Sequence, residues 1–103
     1  MNFAPETLIP AFLQQHQARF SALSDAIWAT PETRFCETRS SARLADTLEQ
    51  AGFAVTRGVG GMATAFIASV GSGSPILAIL GEFDTLAGMS QQAGGAEPLA
   101  HKG

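Results

Sequence analysis

Few side chains in this sequence can do chemistry, and two of them stand close together. Glu82 and Asp84 lie in Gly81-Glu82-Phe83-Asp84, just past the apolar run Ile76-Leu77-Ala78-Ile79-Leu80. In open α/β sheets, functional groups collect at the carboxyl ends of strands. Two residues apart on extended backbone, both carboxylates project to one face. Such a pair can bind a hard divalent ion, serve as acid and base, or orient a metal-bound side chain from behind. The plainer alternative is a solvated strand end whose acids cap the backbone that follows.

Other reactive groups are sparse. His16 falls on the apolar stripe of a helical segment, where a half-buried, hydrogen-bonded histidine is the more common state. Cys36 has neither a CxxC partner nor a nearby histidine in the sequence, which fits an incidental thiol better than a nucleophile. His101, in the loop beyond the acidic pair, can approach the same site, but a solvated histidine is the simpler reading. Gly58-Val59-Gly60-Gly61 follows a strand pattern without a GxGxxG fingerprint or a helix opening after it, so a hairpin turn is favoured over a phosphate cradle. With two histidines and one cysteine, a self-contained zinc site of nitrogen and sulfur ligands is hard to assemble. No metal ligand is therefore assigned within the chain.

The elements that must position the acidic pair divide into two halves, because all eleven glycines come after residue 51. Leu8, Phe12, His16, Phe20, Leu23 and Ile27 recur at spacings of three or four, which predicts an amphipathic helix over about 8–29. Thr7 is the expected cap, with Pro10 in the first turn and Pro31 ending the helix. Leu44, Ala45, Leu48 and Ala51 predict a second helix over about 39–51, with Thr38 as N-cap and Gly52 supplying the left-handed residue past its end. Trp28 and Phe35 are expected to pack the junction of the two helices. Strands are expected over about 53–57, 64–70 and 76–82, the last lacking polar alternation and so expected to be buried on both faces. A loop over about 84–103 completes the chain. The resulting fold class is α/β, two helices followed by three strands of a mixed sheet. A strand covered on both faces needs a layer on each side, and two helices cover only one well, so the domain is expected to be incomplete. The long element-free tail points the same way.

Composition sets the outer limits. The chain has 103 residues, one domain or part of one, with 46% hydrophobic and 15% charged residues, which argues for a globular core. Its net charge of -3 and scattered arginines give nucleic-acid binding no support. The longest apolar run falls far below the roughly 20 residues of a membrane span, so no membrane association is expected. One cysteine and a start without a signal-peptide pattern make a cytoplasmic location the expectation.

Three pieces in order carry a resemblance. They are Ile27 and Trp28 with Pro31 and Glu32, the turn Gly60-Gly61-Met62 leading to Thr64-Ala65-Phe66, and the stretch ILGEFDTLAGMSQ. Together, over about 8–95, they resemble the amino-terminal part of the zinc-dependent amidohydrolases and peptidases related to aminoacylase, most nearly the aminobenzoyl-glutamate hydrolase B-subunit branch. The resemblance implies a zinc-peptidase-like catalytic domain interrupted later by a smaller dimerising domain. It also implies a divalent metal, zinc or manganese, in the complete enzyme, and a small acyl-amino acid as substrate. A homodimer or hetero-oligomer is implied for the complete protein.

By the same resemblance, Glu82 matches a position where many relatives have a metal-binding histidine, and Asp84 matches the aspartate that orients the metal-bound residue. The ligands of this branch are implied to include a cysteine and a histidine in a later Gly-x-x-Cys-Gly-His stretch, which this chain does not contain. Thr85 stands where alanine is usual and Ala87 where proline is common, which bears on the path of the loop. The expectation is an amino-terminal fragment that is inactive alone and binds no metal by itself. The alternative is a noncatalytic α/β module that binds a protein partner through an uncovered sheet face.

Overall fold

A computed structural model describes residues 4–88 together with Gly95 and Glu97. His101 and most of the expected loop over 84–103 lie outside the described residues. The order is α1 (Pro5–Trp28), α2 (Thr38–Gln50), β1 (Ala54–Arg57), a single 3-10 turn (Val59–Gly61) and β2 (Phe66–Ser69). The chain is thus mixed α and β.

Helix α1 starts earlier than its stripe predicts. Pro5 occupies the opening of the helix, where its fixed φ is already helical, and the Thr7 and Leu8 amides both donate to the Ala4 carbonyl. Ala4, not Thr7, is therefore the N-cap. The consequence is that Pro10 lies inside the helix, where it has no N–H to donate to the Glu6 carbonyl. Pro31 closes the other end as expected, and the last helical residue is Trp28. No residue of α1 is fully buried. Its half-buried positions are His16, Leu23, Ala26 and Ile27, while Leu8, Ile9, Phe12 and Leu13 are exposed.

Helix α2 is the centre of the packed unit. Ser41, Leu44, Ala45 and Leu48, spaced three and four apart, form its inward face, and Ala45 is completely buried. The helix stops where Gly52, with φ +98°, lets the Gly52 amide bond the Glu49 carbonyl and the Phe53 amide bond the Leu48 carbonyl. That crossed pair of bonds needs a left-handed residue, which a side chain disfavours. Thr38 is the first helical residue and not the cap, and Glu37, which stands at the cap position, makes no side-chain bond to the helix start.

The hairpin β1–β2 is antiparallel, pairing Ala54 with Ser69, Val55 with Ala68, Thr56 with Ile67 and Arg57 with Phe66. Val55, Phe66 and Ala68 are half-buried and alternate within the strands with exposed Ala54, Thr56, Ile67 and Ser69, and both strands contact α2. The glycine-rich link is a hairpin connection as expected: Gly58, Gly60 and Gly61 all have positive φ, and the Gly58 amide donates to the Ala65 carbonyl at 2.8 Å. On the outer side, Arg57 joins the hairpin to α2 through Asp46 at 2.7 Å.

Two further expectations fail. The segment 76–82 forms no strand, and the sheet of the described residues has two antiparallel strands instead of three strands of a mixed sheet. Ile76, Leu77, Ile79 and Leu80 are exposed, Ile79 almost entirely at 99%. A strand exists only through its ladder, and no described strand pairs with this run, so its β-propensity finds no partner. Trp28 and Phe35 do not pack the helix junction either, since both are exposed. Polar groups close that junction instead.

Candidate functional site

The acidic pair sits on a stretch with alternating burial. Glu82 and Asp84 are exposed, whereas Phe83 and Thr85 between and after them are half-buried. This two-residue period places both carboxylates on one face, as the spacing predicts, and that face is the solvent side. The inward residues are the tethers. The Phe83 ring meets the Phe66 ring of β2 at 6.3 Å between centroids, and the Thr85 amide donates to the Glu32 carbonyl at 2.8 Å. The acids are thus carried past one end of the hairpin and beside the turn between the helices.

That turn is held by two glutamates. Glu32 Oε1 accepts from the Ser40 amide at 2.8 Å and Oε2 from the Arg39 amide at 3.1 Å. Its carboxylate therefore satisfies two free amides at the start of α2, where the helix also favours negative charge. Glu32 is subject to opposing influences: burial pushes its carboxyl up, but the Ser40 and Arg39 amides outweigh this and hold it below the usual carboxylate range. Arg39 Nε adds a longer ion pair at 3.5 Å.

Glu37 does the same for the hairpin. Thr64 Oγ1 donates to its Oε2 at 2.7 Å and the Phe35 amide to its Oε1 at 2.9 Å. The Thr64 hydroxyl is the main reason its carboxyl lies low, with the Phe35 amide assisting against burial. Ser41 Oγ in turn donates to the Thr64 carbonyl at 2.7 Å. Phe35 has φ +64°, a left-handed conformation unusual for a bulky residue, and its bond to Glu37 fixes that turn. Every buried side-chain polar atom among the described residues has a partner.

The remaining candidates lie elsewhere. His16 is half-buried on α1 between Phe12 and Phe20, with ring centroids 4.4 and 5.8 Å away, an aromatic row at helical spacing. Cys36 is an exposed free thiol. Glu82 and Asp84 are not joined by a third group of ligand type: no cluster of three His, Cys, Asp or Glu side chains occurs among the described residues. A zinc ion takes three or four protein donors, so the described residues alone do not make up a site for the implied metal. The residues that sequence reasoning missed are Glu37, Ser40 and Ser41, and Glu32 and Thr64 carried only a family signal. Their function depends on a turn bringing positions 8 to 27 residues apart into contact, which no periodic pattern encodes.

Comparison with known proteins gives this arrangement a context. The chain is 54% identical over 88 residues to the B subunit of the p-aminobenzoyl-glutamate hydrolase of Escherichia coli strain K12. The match takes in 85% of this chain and 18% of that protein, so the chain spans less than a fifth of its relative's length. No family model and no solved structure matches the chain. The described residues contain no helix long and apolar enough to cross a membrane.

Proposed function

We propose that this chain, a relative of the aminobenzoyl-glutamate hydrolase B subunit, is the amino-terminal segment of a metal-dependent amidohydrolase. The complete protein cleaves the amide of an aminobenzoyl- or acyl-amino acid, of which aminobenzoyl-glutamate is the type. The observation that carries this reading is the 54% identity, which extends over most of the chain. Asp84 and Glu82 support the site by orienting groups that other parts of the protein supply, and the zinc or manganese ligands belong to those parts. Alone, the 103-residue chain is inactive. The complete protein works in the cytoplasm as an oligomer of subunits.

The reading is tested by assaying release of glutamate from aminobenzoyl-glutamate with added zinc or manganese. The complete protein should turn over, the 103-residue chain should not, and Asp84→Asn in the complete protein should lower activity by about 10–100-fold, the usual effect of losing an orienting carboxylate. Turnover by the short chain, or full activity of the Asp84→Asn protein, contradicts the proposal.

A further inference from the structure

We propose that Glu32 is a positioning residue for the acidic pair, acting through the backbone of Thr85. The inference rests on the reading of Glu82 and Asp84 as supports of a hydrolase site. Glu32 is held at one end and holds at the other. Its carboxylate, on a side chain only 9% exposed, is fastened to the Arg39 and Ser40 amides of α2. Its own carbonyl accepts the amide of Thr85, the residue directly after Asp84.

The alternation along 82–85 makes this tether matter. Phe83 and Thr85 turn inward and are the residues tied to the packed unit, while Glu82 and Asp84 make no side-chain hydrogen bond or ion pair among the described residues. Their placement is therefore inherited from the backbone on either side. The Phe83 ring contact restrains one side loosely, because ring packing at this distance leaves the backbone free to slide. The Thr85 bond has direction and fixes the other side. Since the Glu32 carbonyl is itself located by the Glu32 side chain, the N-terminus of α2 sets where Asp84 stands. Removing the carboxylate leaves the acceptor carbonyl in place chemically but no longer holds it.

The test is amide hydrogen exchange and nitrogen relaxation by NMR on the full 103-residue chain. In Glu32→Ala the Thr85 amide should exchange about tenfold faster, the scale of one lost hydrogen bond, and the order parameters of Phe83, Asp84 and Thr85 should fall. The Gly58 and Ala65 amides of the hairpin link should stay within about twofold. Glu32→Gln, whose single side-chain oxygen still accepts one of the two amides, should restore part of the Thr85 protection. A general change of stability is told apart by the Gly58 and Ala65 amides, which it would move as well. If Glu32→Ala does not fold, Glu32→Asp, which withdraws the carboxylate by one methylene, is read in its place. Unchanged Thr85 exchange overturns the inference. So does acceleration at Gly58 and Ala65 equal to that at Thr85, or a Gln variant no better protected than the Ala one. Exchange at Thr85 involves no reaction, so this result is independent of the turnover assay that tests the hydrolase reading.

Discussion

The turn from Thr30 to Ser41 is rich in polar residues, and the run from Ile76 to Leu80 has none, yet it is the first that contains buried side chains. Thr30, Glu37 and Ser40 are at most 8% exposed, whereas Ile76, Leu77, Ile79 and Leu80 are nearly bare. The polar turn closes on itself because its donors and acceptors find each other within a short stretch of chain and the nearby hairpin. The apolar run has no such option, since an aliphatic side chain is satisfied only by another surface brought against it. The lesson is that between these two segments burial follows the availability of partners and not hydrophobicity, and the acidic pair is attached to the segment that has them.

The largest expected effect is at the one buried hydrophobic side chain among the described residues, Ala45 of α2, one helical turn beyond that segment. It has zero exposure on a helix packed against α1 and both strands, so Ala45→Leu overpacks that contact and should cost about 2 kcal/mol. A urea titration should show a lower midpoint at unchanged slope. A change below about 0.5 kcal/mol means that the interface has room and that the contrast with the apolar run is overstated.

A smaller effect comes from Thr64→Val, which keeps the shape but removes the hydroxyl donated to Glu37. It should lower the urea midpoint by about half as much as Ala45→Leu, the scale of one hydrogen bond exchanged for water. The same bond has a pH signature. Glu32 and Glu37 both have lowered carboxyl pKa values in the folded chain, so they contribute stability above the usual carboxylate value of 4.5 and lose it as the pH falls through their lowered values. Thermal melts from neutral to acid pH should therefore show falling stability, less steeply in Thr64→Val, where Glu37 moves back toward its ordinary value. An identical slope in both proteins shows that Glu37 does not carry the acid sensitivity.

What was legible in the sequence follows the same division. The two helices, the Gly52 stop and the glycine-rich hairpin link could be read directly, since each depends on local spacing or on a conformation that glycine favours. That Glu82 and Asp84 share one face was legible for the same reason, but which face was not. The α1 start was misplaced because Thr7 and Pro5 are both acceptable openings, and the earlier one captures more helix. The third strand is expected from an unbroken apolar run, but a strand is a relation between two segments, and the run 76–82 has no described partner. The glutamate clamps were invisible because their partners are chosen by a turn whose key residue, Phe35, adopts a backbone conformation that its type rarely takes.

The smallest expected effect is at the other pole of the comparison. Ile79 is 99% exposed, so Ile79→Ser removes no packing and should change unfolding free energy by less than about 0.5 kcal/mol. Its consequence should appear between molecules instead. A bare row of four large aliphatic side chains is the kind of surface that draws chains together, and sedimentation at rising concentration should show weaker self-association for the serine variant. The two measurements separate the explanations for an apolar run outside the core. Unchanged stability with reduced association means that the run is a surface awaiting cover. A loss as large as that of Ala45→Leu means instead that the run is already packed in solution, and the contrast between a satisfied polar turn and an unsatisfied apolar strand then collapses.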